Sequence, residues 1–157
     1  MLKINQTRFG GSDSPISEQG NCFQACLASI LEIPLEDAFD CCPFDTPTDE
    51  KRLERQPWWV AFNDWLSQFG LGSIWLEFKP TPPTITQLLG YHLAEVKSHT
   101  LKSGNHCVVI HDGELVHDPN PKSKVDSDDL IGVYILVPLD ISKSTQVLRT
   151  IQGVAKA

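Results

Sequence analysis

The sequence predicts an α+β domain, and three observations carry that reading. Apolar residues recur at helical spacing up to about position 70, short β-rich segments dominate from Ser73 onward, and no Pro/Gly-rich linker is long enough to separate the two blocks. A block of helices followed by a run of strands implies an antiparallel sheet with helices packed on it. The chain has 157 residues, 41% of them hydrophobic, which is enough for one sizeable core. Charged residues amount to 21% and apolar runs recur throughout, so the chain does not read as disordered. The expected boundaries are one domain over 1–140, with 141–157 a loose C-terminal tail or a weak amphipathic helix.

Residues 1–20 are rich in Gly, Ser and polar side chains and read as an irregular lead-in. Helix signals begin at Asn21, where Phe23, Cys26, Leu27, Ile30 and Leu31 fall on one helical face. Asn21 suits an N-cap, and Gln24 three residues on completes a capping-box pattern, so Cys22 takes the first helical position. Pro34 starts a short second helix, Leu35 to Phe39. The stretch Asp40 to Pro57 holds turn residues and the charged run Asp49-Glu50-Lys51-Arg52, and reads as exposed. Pro57 opens a third helix whose core stripe is Trp58, Phe62, Trp65, Leu66 and Phe69, with Gly70 as its stop. Trp59 lies off that stripe and is the aromatic best placed to meet a substrate. Strands are expected at Ser73–Phe78, Tyr91–Val96, His106–His111, Glu114–Asp118 and Gly132–Val137, with one or two helical turns at Thr84–Leu89.

A formal net charge of -7 argues against a general nucleic-acid binder or an anionic-membrane binder, because phosphate attraction needs a surplus of Lys and Arg. The N-terminus has no apolar signal region, and no stretch approaches the roughly 18 apolar residues of a membrane span, so a cytoplasmic protein is expected. Five cysteines, an odd number, fit reduced thiols better than a disulfide framework. No Cys-x-x-Cys pair occurs, and neither the vicinal Cys41-Cys42 nor the helical Cys22-Cys26 matches a common zinc pattern, so no metal is expected. No Gly-rich phosphate loop appears, so no nucleotide cofactor is expected either.

Of the five thiols, Cys22 alone sits at a predicted helix start, where unpaired N–H groups and the macrodipole favour a thiolate. The same position aims its own N–H at an acyl oxygen, as half of an oxyanion hole. Cys26 falls on the buried stripe, Cys107 should face the packed side of the sheet, and Cys41 and Cys42 lie in a loop without clear context. A base must come from elsewhere, and His106 to Asp118 reads as a hairpin that supplies one. Two turns are open. A two-residue Asp112-Gly113 loop pairs His111 with Glu114 and leaves Asp118 on the face away from His106. A three-residue loop closed by Gly113 pairs Ile110 with Glu114 and sets His106 opposite Asp118; it is favoured because Gly occupies the position that needs positive φ. In that register Asp118 accepts the imidazole N–H and frees the other ring nitrogen for a thiol, with Asn120 as the fallback orienter. His117 would lie on the opposite face, and His92 and His99 read as surface or packing residues.

Gly20-Asn21-Cys22-Phe23-Gln24-Ala25-Cys26-Leu27-Ala28 resembles the Cys helix of papain-like cysteine peptidases, in particular the bacteriocin-processing (C39-like) branch. Gly104-Asn105-His106-Cys107-Val108-Val109 with Val116-His117-Asp118-Pro119 resembles that branch's His strand and Asp-Pro element. The chain as a whole also resembles small proteins of bacteria and their phages, and the likeness covers about residues 6 to 138. It implies a papain-like fold, with Cys22 as nucleophile, His106 as general base and acid, and Asp118 as orienter. The family's oxyanion Gln falls about six residues before the Cys, where this chain has Ile16. The candidates are then Gln19, three residues before Cys22, and Gln6, sixteen before it and within reach only if the Gly/Ser loop folds back. The function expected is hydrolysis or acyl transfer on a peptide, isopeptide or side-chain amide through a thioester, with a peptide or protein as partner. The alternative is an inactive binding module on the same fold that sequesters a protein.

Overall fold

The computed structural model describes residues 1–44, 57–78, 88–100, 104–125 and 129–152. Helix α1 is Cys22–Leu31, and eight of its ten residues are buried, so it is a central helix enclosed on nearly every side rather than along one stripe. Its buried Ser29 is satisfied on both counts: the hydroxyl donates to Ala25 O (2.7 Å) and accepts from Ile4 N (3.0 Å). The helix expected from Leu35 to Phe39 is a single 3₁₀ turn, Leu35–Asp37. Gln24 Nε2 donates to the Ala38 carbonyl (3.0 Å), Ala38 turns extended, and Phe39 is delivered into the core against Phe62. A second 3₁₀ turn covers Cys42–Phe44. The charged run at 49–52 and most of the Thr84–Leu89 stretch lie outside the described residues.

Helix α2, Trp58–Ser67, buries Phe62 and Leu66 and ends before Gly70, whose φ of 68° reverses the chain into β1, Leu71–Glu77. The other strands are β2 (Tyr91–Lys97), β3 (Asn105–His111), β4 (Glu114–His117) and β5 (Leu130–Pro138). They form one five-stranded antiparallel sheet in the order β1-β5-β2-β3-β4. One face packs on α1 and α2 through Leu71, Leu93, Cys107, Val109 and Leu136; the other carries a smaller cluster of Ala94, Val96, Val108, Ile110 and Val133. Of the two readings open for 141–157, the helix is the one formed. Helix α3, Ile141–Ile151, is capped by Asp140 and packs on α1, with Ile151 in the main core. The domain therefore runs past residue 140.

The β3–β4 hairpin departs from the favoured register. Its turn is the two-residue Asp112-Gly113, both at positive φ (52° and 84°), and His111 pairs with Glu114. Asp112 is held there from outside the hairpin, because its carboxylate accepts from Gly90 N at 2.7 Å. A bulge then follows: Ile110 pairs with Leu115, but Val109 pairs with His117, so one residue of β4 is extra. That extra residue swaps the faces beyond it, and Asp118 comes to the His106 side after all.

Candidate active site

Three elements converge on one cleft of about 350 Å³, whose walls include Gln6, Cys22, Trp58, His106, Asn120 and Tyr134. Cys22 enters it from the start of α1. Asn21 is the N-cap by position but forms no capping bond. Its side chain instead accepts from Thr7 N and Arg8 N, both at 3.0 Å, and donates to Gln24 Oε1 at 3.0 Å. The expected capping box is thus replaced by a tie to the N-terminal segment. Among the described residues no side chain caps the first-turn N–H groups of α1, that of Cys22 among them.

His106 enters from the start of β3. Its Nε2 lies 2.7 Å from Asp118 Oδ1, and Cys22 is close enough to favour the charged ring, with Nδ1 the nitrogen left to face it. Burial disfavours the charged ring, but Asp118 and Cys22 outweigh it and raise the His106 pKa to about 9. Burial likewise works against the Asp118 carboxylate, yet bonds from His106, Asn120 N (2.8 Å) and Ser123 hold it below its ordinary value. Asn120 supports Asp118 through its backbone N–H rather than replacing it.

The two glutamines differ. Gln19 Nε2 donates to both Ser12 O (3.2 Å) and Ser14 O (2.9 Å), so its amide hydrogens bind the 10–20 loop together. Gln6 is brought back beside the helix start: its N–H donates to Pro119 O, and a Cβ on Gly20 would lie 3.8 Å from its Nε2. That Nε2 donates once, to Arg8 O at 2.8 Å, which leaves its second hydrogen available.

All five cysteines are free thiols. Burial pushes the Cys26 thiol up, the Cys26 contact and burial push Cys107 well up, and the Cys42 contact and burial do the same to Cys41. Those three are kept protonated and unreactive. Cys41 and Cys42 are not an isolated loop pair, since both line the cleft beside Cys22. Among the described residues no cluster of three or more His, Cys, Asp or Glu side chains could hold a metal ion.

Trp59 is 57% exposed and lines a neighbouring cavity, whereas Trp58, read as core, is the tryptophan at the Cys22 cleft. Glu95 and Tyr134 also line the cleft and were not singled out from the sequence. Glu95 had a signal, because alternation from Tyr91 and Leu93 puts its carboxylate on the helix-facing side of β2. His117 turns away as expected and bonds Ile4 O at 2.8 Å; His99 is exposed, as a surface residue, and pairs with Asp129. Comparison with known protein families, curated proteins and solved structures finds no match to this chain. Among the described residues no helix is long and apolar enough to cross a membrane.

Proposed function

We propose that the chain is a cysteine-dependent acyl-transfer enzyme or hydrolase with a papain-like arrangement, acting on a peptide, isopeptide or side-chain amide. The observation that carries the reading is that Cys22 and His106 share the wall of one cleft, with His106 hydrogen-bonded behind it to Asp118. Cys22 Sγ attacks the amide carbonyl as thiolate, and the C=O π pair moves to oxygen. His106 then gives its proton to the departing amine nitrogen, and the thioester remains on Cys22. Water, or an amine, attacks the thioester while His106 takes back a proton, and the thiolate leaves. Asp118 keeps the ring oriented and stabilises its charge throughout. The uncapped Cys22 N–H and the second hydrogen of Gln6 Nε2 are the donors best suited to the oxyanion, and Gln19 is the weaker candidate because its amide is already engaged. Free thiols throughout support a reducing compartment such as the cytoplasm.

The test is labelling by an electrophilic peptidyl acyl probe, read by peptide mass. Wild type should carry one adduct, on Cys22. Cys22→Ala should carry none, and His106→Ala should react slower by a factor of about 100 or more. An adduct on another cysteine, or labelling that ignores His106, would sink the reading. A second reading, an inactive module that binds a protein, is favoured by one observation. Ile16 stands at the family's Gln position and Gln19 is engaged, so the side-chain half of the oxyanion hole would depend on Gln6 alone. That reading expects Cys22 to react no faster than an ordinary exposed thiol.

A further inference from the structure

The cleft that holds Cys22 also holds Cys41 and Cys42, so three of the five free thiols meet in one place. The other two do not reach it as reagents. Cys26 is fully enclosed in α1 with its thiol donating to Cys107 O at 3.3 Å, and Cys107 is buried in β3. The segment carrying Cys41 and Cys42 is fastened in position. Asp40 holds it from two sides, accepting from Cys42 N at 3.1 Å through Oδ1 and from Arg8 Nη2 at 2.6 Å through Oδ2. Arg8 is bound in turn through its own N–H to Asn21, the residue before the nucleophile. The Cys42 thiol donates to Gly20 O at 3.4 Å, which anchors the pair within two residues of Cys22.

The two thiols of the pair are not equivalent. Cys42 is buried, and its sulfur is engaged by Gly20 O and by Arg8 Nη2 at 3.8 Å. Cys41 is half-buried like Cys22, and both pack against the main core. The Cys42 contact and burial keep the Cys41 thiol protonated, and the charge of the neighbouring Cys22 adds to that. A neutral thiol does not compete with Cys22 for an electrophile, but it can attack the Cys22 sulfur once that sulfur is oxidised. We propose that Cys41 is the resolving thiol of a redox switch, converting a peroxide-oxidised Cys22 into a reversible Cys22–Cys41 disulfide. Cys22, as the thiolate that acyl transfer requires, attacks one oxygen of hydrogen peroxide. The O–O bond breaks, the sulfur becomes a sulfenic acid, and the departing hydroxide takes a proton to leave as water. Oxidation also removes the Cys22 charge that helped to keep Cys41 protonated. Cys41 sulfur then attacks Cys22 sulfur, the S–O bond breaks, and the Cys41 proton leaves with the hydroxyl as a second water. In a reducing compartment such a bond is transient, because cellular thiols reopen it. The inference rests on the acyl-transfer reading only for the activity that the disulfide switches off.

The experiment treats wild-type protein with a small excess of hydrogen peroxide, blocks the remaining thiols with iodoacetamide and maps every cysteine by peptide mass. Wild type should gain a Cys22–Cys41 cross-link and lose iodoacetamide uptake at Cys22, and dithiothreitol should restore about nine-tenths of that uptake. Cys41→Ser should instead leave Cys22 as a sulfenic acid that dimedone traps. Further peroxide should carry that variant to sulfinic acid, so that dithiothreitol restores less than about half of the uptake. A cross-link from Cys22 to Cys42, a Cys41–Cys42 bond with Cys22 left free, or Cys22 oxidised without any cross-link would overturn the proposal. So would a Cys22 that peroxide does not touch, or a Cys41→Ser variant that recovers as fully as wild type. The wild-type map names both sulfurs directly, so the proposal stays open to refutation even if the variant folds poorly. An electrophilic acyl probe separates the two readings. Labelling of Cys22 in untreated protein, with no cross-link after peroxide, removes the switch and leaves the enzyme. A cross-link in a protein that the acyl probe never labels keeps the thiol pair and removes the enzyme.

Discussion

At the scale of single side chains, His106 links the chemistry to pH. Its pKa rises from 6.5 to about 9, against the effect of its burial, because Asp118 and Cys22 both favour the charged ring. An NMR titration of the His106 ring should find its midpoint near 9, and Asp118→Asn should lower it. A wild-type midpoint near 6.5 would mean that neither contact persists in solution. The same shift bears on stability. A base whose folded pKa is raised stabilises the fold fully below its unfolded pKa, and that contribution disappears as pH rises through the folded value. Relative to His106→Ala, wild type should therefore lose stability between about pH 6.5 and 9, as measured by urea unfolding over a pH series. Asp118 acts in the opposite sense: its lowered pKa supplies stability above 3.8 that is lost as pH falls below it. Cys22 and His106 were legible in the sequence because a helix start and a strand start fix where such residues point, whereas the meeting of Asp118 with His106 depends on a bulge that alternation alone does not contain. The supporting contacts were not legible: the Asn120 N–H and the Gln6 amide arrive from segments with no periodicity to read, and periodicity placed Trp58 on the core stripe of α2 without revealing that it also borders the cleft.

At the scale of elements, the strands were recovered to within a residue or two at most ends, and the hairpin shows why register was harder. Positive φ at Gly113 is common to both turns considered, so that glycine alone could not choose between them. The deciding contact, Gly90 N to Asp112 Oδ1, comes from the segment before β2 and has no local signature. The bulge opposite Val109 then restored the face that the shorter turn had reversed, so His106 and Asp118 meet by a route the simple alternation does not contain. Gly70 makes a sharper test of element geometry. It has φ of 68°, its carbonyl accepts from Leu139 N and Asp140 N, and a Cβ would lie 2.5 Å from Asp140 O. Gly70→Ala should cost about 1–3 kcal/mol in urea unfolding, because it adds both a left-handed alanine and a backbone clash where α2, β1 and α3 meet. A loss under about half a kcal/mol would show that this junction gives way easily.

At the scale of the whole molecule, the N-terminal segment is where the sequence was least informative. Gly, Ser and polar residues suggested an irregular lead-in, and residues 1–20 hold no helix and no strand beyond the Gly10–Gln19 bridge, but composition gave no hint that residues 1–21 form a strap along α1 and the β4 end. The Met1 amino group pairs with Glu32 at 3.0 Å, Ile4 bonds both Ser29 and His117, Gln6 N donates to Pro119 O, and Arg8 reaches Asp40 at 2.6 Å. Each tie joins residues far apart in the chain, and such contacts leave no trace in composition. The strap also brings Gln6, Phe9 and Gly10 to the Cys22 cleft, so its attachment and the site's completeness are one matter. Asn21 is the attachment nearest the nucleophile, because its Oδ1 accepts from both Thr7 N and Arg8 N. Asn21→Ala should cost about 1–3 kcal/mol, the usual penalty for leaving partly buried donors unpaired. It should also speed hydrogen exchange at the Thr7 and Arg8 amides and slow acyl-probe labelling of Cys22, while α1 stays intact because its first turn never depended on that cap. Asn21→Asp keeps the accepting oxygen and should recover most of both losses. If exchange at Thr7 and Arg8 stays slow in Asn21→Ala, the strap is held by its other ties and Asn21 does not couple it to the cleft.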